Sequence, residues 1–219
     1  MKQILSLPKC IIFDWDGVLV DTKELIAAAY FHTFLSLGKP LPEMDMLHQL
    51  PGTSLRDYFP KIFGEDAKKA ERFFYAYVNE NHLKALKTTE GSEELLGYLK
   101  KRDIPCSIVS NKRGDILRKE LEFLDWTGFF HKTIGSKDCP EDKPSPKTIT
   151  AAVEGLNAPM DHNTWFVGDW MTDLECAHRS HLFAILFNNP VLKDKKDLPY
   201  RFDFYINDCK ELKKILTQL

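Results

Sequence analysis

The chain has no CxxC pair of cysteines, no excess of basic charge and no apolar run long enough to span a membrane. Each absence excludes something. Its five cysteines, Cys10, Cys106, Cys139, Cys176 and Cys209, are scattered and odd in number. That argues against a disulfide framework and points to a reducing, cytoplasmic setting. Cys10 and Cys106 open apolar stretches and read as small buried hydrophobes, whereas Cys139 falls in a loop, where a thiol is open to reaction. A net charge of −2 offers nucleic acid no attractive field. The run Lys193-Asp194-Lys195-Lys196-Asp197 mixes signs behind Pro190 and reads as a solvated loop without function. At the N-terminus Pro8 breaks a short apolar stretch between Lys2 and Lys9, so neither a signal peptide nor a membrane span is expected. Nucleic acid and membrane are therefore not expected partners, and a monomer or homodimer is.

What is present suits a folded α/β protein. The 219 residues are 43% hydrophobic and 28% charged, enough for one sizeable core and a small satellite. Apolar stretches near 10–14, 104–109, 132–135, 164–167, 182–187 and 203–206 alternate with helical patterns, the signature of a doubly wound parallel sheet, Rossmann-like in plan. One long helical stretch interrupts the alternation after Thr22. Helices are expected there over 22–37, 43–50, 54–63 and 66–86, with Gly38-Lys39-Pro40 as a stop and Ser54-x-x-Asp57 as a capping signal. The expected division is a core of residues 1–20 and 88–219 and an inserted helical unit of 21–87, with flexible joints near 17–22 and 86–91. Phe73, Phe74, Tyr77, Val78 and Leu83 form a helical stripe that reads as bundle core. The turn Pro51-Gly52-Thr53-Ser54-Leu55-Arg56 is the better candidate to face a ligand, because its glycine admits close backbone approach. Arg56 there either grips a carboxylate or second phosphate or is a plain surface arginine beside a helix cap.

Four segments carry chemistry. In Ile11-Ile12-Phe13-Asp14-Trp15-Asp16-Gly17 an apolar strand breaks at two carboxylates two residues apart, at a cost in desolvation and repulsion that a bound dication would offset. An acidic helix cap is the alternative. The strand Ile104–Val109 stops at Ser110-Asn111, ahead of a helical pattern, where an anion or an ordinary cap is equally well served. In Glu141-Asp142-Lys143-Pro144-Ser145-Pro146 the prolines stiffen the backbone around one lysine, suited to phosphate although most lysines are merely solvated. Thr164–Val167 runs into Gly168-Asp169, with Asp173 four residues on, a spacing that also suits an acidic helix start. In a parallel sheet all strand C-termini lie on one side, so the four signals converge.

DxDGVLVDT, the Ser-Asn strand end, KPSP and GDxxxD, in this order from Ile11 to about Ala177, resemble the haloacid dehalogenase-like hydrolases. The resemblance is to the phosphoglycolate phosphatase and β-phosphoglucomutase branch, whose small helical cap residues 21–87 would supply. It implies that Asp14 is the nucleophile taking up a phosphoryl group, with Asp16 as general acid and then base. It also implies that Mg²⁺ sits between Asp14, the backbone carbonyl of Asp16, Asp169 and Asp173, and that Ser110, Asn111 and Lys143 bind the phosphoryl oxygens. The substrate would be a small phosphorylated metabolite. The acid at Asp16 argues against cleavage of carbon–halogen or carbon–phosphorus bonds. Ile26 stands where the mutases carry a histidine, and the nearest one, His32, lies on an apolar stripe, which favours a phosphatase over a mutase. Trp15 and Ser180-His181 depart from the family pattern and read as packing variants. A phospho-acceptor signalling domain or a catalytically silent binding module is the reading from another class; the helical insertion counts against the first and the costly acids against the second.

Overall fold

The computed structural model describes residues 6–41 and 53–219, so the helix expected over 43–50 and the Pro51-Gly52 end of the candidate turn lie outside the described residues. The first half runs β1 (Cys10–Phe13), β2 (Val20–Asp21), α1 (Lys23–Ser36), α2 (Leu55–Phe63), α3 (Ala67–Ala85), β3 (Lys87–Thr88), α4 (Ser92–Lys101), β4 (Cys106–Arg113) and α5 (Gly114–Phe123). There follow β5 (Lys132–Ser136), α6 (Pro146–Val153), β6 (Thr164–Gly168), α7 (Met171–Arg179), β7 (Phe183–Phe187), α8 (Pro190–Lys193), β8 (Phe204–Ile206) and α9 (Cys209–Thr217).

Six strands form one parallel sheet in the order β5-β4-β1-β6-β7-β8. Every stretch read as a strand is one, and their apolar continuity has a simple cause: both faces are covered by helices. In β1, Ile11 and Phe13 pack with Leu95, Leu99, Leu117 and Leu212 from α4, α5 and α9, while Cys10 and Ile12 pack with Ile149, Leu174 and Ala177 from α6 and α7. Trp15, just beyond the strand, is fully buried and meets Trp126 edge-on at 6.0 Å between ring centroids. All five cysteines are free thiols. Cys139 does not have a reactive thiol's surroundings, because burial and the neighbouring Asp138 and Asp142 push its pKa up. Among the described residues no helix is long and apolar enough to cross a membrane.

The insertion leaves and rejoins the sheet through β2 and β3, an antiparallel pair in which Val20 faces Thr88 and Asp21 faces Lys87. Thr89 extends the tie, its N–H donating to Leu19 O at 3.0 Å and its hydroxyl to Val18 O at 2.6 Å. The two joints are thus bonded to each other, where the sequence suggested loose linkers. Helices α1, α2 and α3 share a separate core in which Tyr30, Phe59 and Phe74 stack edge to face, at 5.7 Å (Tyr30–Phe59) and 5.1 Å (Tyr30–Phe74). Of the expected stripe, Phe74 and Val78 are buried in it, Tyr77 packs partly buried against it, and Phe73 and Leu83 are half-buried. Ile116 of α5 belongs to the same cluster and joins the insertion to the sheet domain.

Candidate active site

The acids gather because several strands stop at the same edge. Asp14 follows β1, and its N–H donates to Val167 O at 2.9 Å, continuing the ladder one residue past the strand. Its carboxylate oxygen Oδ1 accepts from Trp15 N at 2.7 Å and lies 2.8 Å from Lys143 Nζ. Lys143 enters from the loop after β5, is almost wholly buried, and donates a second bond to Asp173 Oδ1 at 2.7 Å. Asp173, in the first turn of α7, uses Oδ2 to accept from Trp170 N at 2.9 Å, so it anchors the lysine and caps the helix at once. Asp169 directly follows β6, and Asn189 steadies it by donating to its backbone carbonyl at 2.7 Å. One carboxylate oxygen from each of Asp14, Asp169 and Asp173 lies within 4.8 Å of the others.

Gly17 makes this packing possible. Its φ of +84° belongs to the left-handed region, and a Cβ there would stand 2.1 Å from Asp169 Oδ2. Burial raises the Asp14 pKa to about 6, with Lys143 pulling down and Asp173 pushing up. Asp169 is raised well above the carboxylate range, by burial first and then by Asp173 and Asp14. Burial alone would lower Lys143, but Asp14 and Asp173 outweigh it and hold the ammonium charged. Three carboxylates around one ammonium leave negative charge uncompensated, and their all-oxygen donor set is what a hard dication such as Mg²⁺ binds.

The other expected residues divide. Ser110 is buried on β4, its hydroxyl accepting from Lys112 N at 3.2 Å. Asn111 clasps the Lys143 backbone from both sides, accepting from its N–H at 3.0 Å and donating to its carbonyl at 3.3 Å. Arg56 is not brought to the acids. It pairs with Asp142 Oδ1 at 2.9 Å and lines a different cavity of about 360 Å³. Asp16 lies beside the acid cluster and turns its Oδ1 toward Thr22 Oγ1 at 2.6 Å and Lys112 Nζ at 2.7 Å.

A cavity of about 710 Å³ opens over Asp14, Asp16, Ser110 and Asp169. Its opposite wall comes from the insertion, through Ile26, Tyr30, Leu55, Phe74 and Val78. Phe74 and Val78 therefore serve as both helix core and cavity wall, a double role the stripe reading did not contain, and of the candidate turn Thr53 and Leu55 reach the cavity. Lys195, in the run read as a functionless loop, also lines it. Sequence reasoning missed Lys112, Glu120 and His82, which form a buried polar group behind Asp16. The one signal available was a polar residue on the apolar face of each of two helices, Glu120 beside Leu117 and Leu121, and His82 beside Val78.

The family model described as haloacid dehalogenase-like hydrolase matches residues 11–187. A pyrophosphatase PpaX of Oceanobacillus iheyensis is 30% identical over 210 residues, covering 93% of this chain and 94% of that protein. A phosphoglycolate phosphatase of Aquifex aeolicus is 26% identical over 209 residues, covering 95% and 96%. Among solved structures, a putative haloacid dehalogenase-like hydrolase from Bacteroides fragilis superposes with a TM-score of 0.85 at 19% identity, covering 94% of this chain and 99% of that one. The strand-end acids, the loop lysine and the inserted helices sit within the span of the family match, and the chain belongs to the haloacid dehalogenase-like hydrolases.

Proposed function

We propose that the protein is a Mg²⁺-dependent phosphatase that hydrolyses a small phosphomonoester through an aspartyl phosphate on Asp14. The observation that carries this reading is Lys143 spanning Asp14 and Asp173 beneath a cavity that also exposes Asp16 and Ser110. A carboxylate Oδ of Asp14 attacks phosphorus, and the bond to the leaving oxygen breaks as Asp16 gives that oxygen its proton. Asp16, now a carboxylate, takes a proton from a water whose oxygen attacks the same phosphorus; Asp14 leaves free and inorganic phosphate departs. Lys143 and the Ser110 hydroxyl face the phosphoryl oxygens, and Lys143 holds the nucleophile in place before the substrate arrives. Asp14, Asp169, Asp173 and the backbone carbonyl of Asp16 would hold Mg²⁺, Asp173 also anchoring Lys143 and α7; the ion would neutralise charge between carboxylate and phosphate dianion.

Residues 21–87 act as a cap over this site, tied to the core formed by 1–20 and 88–219. The names of the relatives favour pyrophosphate, phosphoglycolate or a similar small phosphorylated compound as substrate. The apolar wall of the insertion adds that a leaving group with hydrocarbon surface suits the cavity. Ile26 on that wall has no proton to exchange, which favours release of phosphate over return of it to a sugar, as a mutase would require. Phosphate release from a panel of phosphomonoesters and pyrophosphate, with and without Mg²⁺, tests the reading. Wild type should release phosphate and Asp14→Asn, which keeps the shape without the nucleophile, should not; equal release by both would reject Asp14, and no release by either would return the silent-module reading.

A further inference from the structure

Behind Asp16 lies a chain of buried polar groups that phosphoryl transfer on Asp14 does not itself require. Lys112 Nζ donates to Asp16 Oδ1 at 2.7 Å and to both oxygens of Glu120, at 3.0 and 2.7 Å. Both charged side chains are enclosed, Lys112 at 4% exposure and Glu120 at 0%. Glu120 is fixed in turn by Trp15 Nε1, which donates at 2.6 Å, and by His82 Nδ1 at 3.1 Å. These partners come from four places: the turn after β1, strand β4, helix α5, and helix α3 of the insertion. Burial would raise the Glu120 pKa, but His82, Lys112 and Trp15 hold it below the ordinary value, so the carboxylate stays charged. Burial would likewise strip Lys112 of its proton, and Asp16 and Glu120 prevent it.

A buried ion pair of this kind seldom adds net stability compared with apolar residues of the same volume, which leaves its geometry as what it supplies. The geometry is specific. Lys112 and Thr22 both bind the same oxygen of Asp16, so the carboxyl is gripped at Oδ1 and its rotation about the side-chain bond is fixed. With the side chain 27% exposed and lining the cavity, the other oxygen is the one presented to a ligand. Asp16 also sits one residue from Trp15, so Glu120 is held by a neighbour of the very carboxyl it controls.

We infer that Lys112, braced by Glu120, is a positioning residue that sets the carboxyl of Asp16 toward the leaving oxygen of the substrate. His82 places one end of this brace on the insertion, so the position of α3 bears on the acid. The inference rests on the phosphatase reading, in which Asp16 protonates the leaving group.

Leaving groups of different basicity separate this role from a merely structural one. A 4-nitrophenolate departs without a proton, whereas a simple alkoxide needs one, so only the alkyl ester depends on a well-aimed acid. The experiment compares kcat/KM for 4-nitrophenyl phosphate and for an alkyl phosphate, with Mg²⁺, in wild type, Lys112→Met, Lys112→Arg and the double variant Lys112→Met with Glu120→Gln. The double variant removes both charges together, so neither is left alone in the core if Lys112→Met does not fold. Misaiming the acid should cost about 100-fold on the alkyl ester and less than about threefold on the aryl ester, with partial recovery in Lys112→Arg. Equal losses on the two esters, or none, in the folded double variant would overturn the inference and leave the phosphatase reading intact. A wild type inert toward both esters and toward the wider panel would overturn that reading, and this inference with it.

Discussion

Asp14 meets two opposing demands, the charged carboxylate that the proposed nucleophile needs and a buried position, and the structure answers with one lysine held at 2.8 Å. That answer is incomplete, since burial still lifts its pKa to about 6. The close approach of Asp169 to Asp14 depends on Gly17, whose absent side chain leaves the room for it. Gly17→Ala should therefore displace Asp169, lower Mg²⁺ affinity and activity together, and destabilise the fold by more than about 1 kcal/mol, because φ is positive there. Calorimetric titration with Mg²⁺ and a thermal melt measure the two effects separately; an alanine variant with unchanged metal affinity would show that Asp169 is not placed by this contact.

Among the elements, α7 shows how a local rule and a site coincide. Asp173 stands in its first turn, accepting from the Trp170 N–H as a cap does, and the same carboxylate anchors Lys143. Spacing alone allowed either a metal ligand or an acidic helix start; in the structure Asp173 caps the helix and also belongs to the group of three acids that could hold a metal ion. Asp173→Ala should lose about 1 kcal/mol for the cap, with a further loss because the buried lysine keeps a single carboxylate partner. Activity should fall through kcat more than through KM, since Lys143 would lose the partner that holds it in line. Chemical denaturation and steady-state kinetics check both, and full activity in a folded Asp173→Ala protein would remove Asp173 from the site. In the same way α3 is both core and wall: its Phe74 closes the aromatic cluster of the insertion and faces the cavity.

For the molecule as a whole, stability, metal and pH are linked through these acids. The folded Asp14 binds its proton more tightly than the unfolded chain does, with a pKa near 6 against an ordinary 3.8, and Asp169 shifts the same way. Between those values the folded state holds more protons, so the contribution of these groups to stability is greatest below about pH 4 and falls as pH rises through 6. A dication held by these carboxylates would bind their ionised form and offset that loss. Added Mg²⁺ should raise the Tm more at pH 7.5 than at pH 5, and should move the acidic limb of kcat/KM to lower pH. A Tm gain that is equal at both pH values, or larger at pH 5, would separate the metal from these carboxylates.

The sequence by itself determined the six parallel strands, the helical insertion and the meeting of Asp14, Asp169 and Lys143, because these depend on short-range pattern and on the rule that parallel strands end on one side. Buried strands need continuous apolar residues, so the acids that end them stand out. Only the tertiary structure decided what each polar group pairs with. Arg56 went to Asp142, and Lys112, directly after the Ser110-Asn111 strand end, found Asp16 and Glu120 at sequence separations of 96 and 8 residues. Nor could periodicity separate helix core from cavity wall in Phe74 and Val78, since an apolar face looks the same whether it meets another helix or an open space. Those outcomes are set by how α3, α5 and the β1 turn dock together, and docking is a property of the packed whole, not of any one segment.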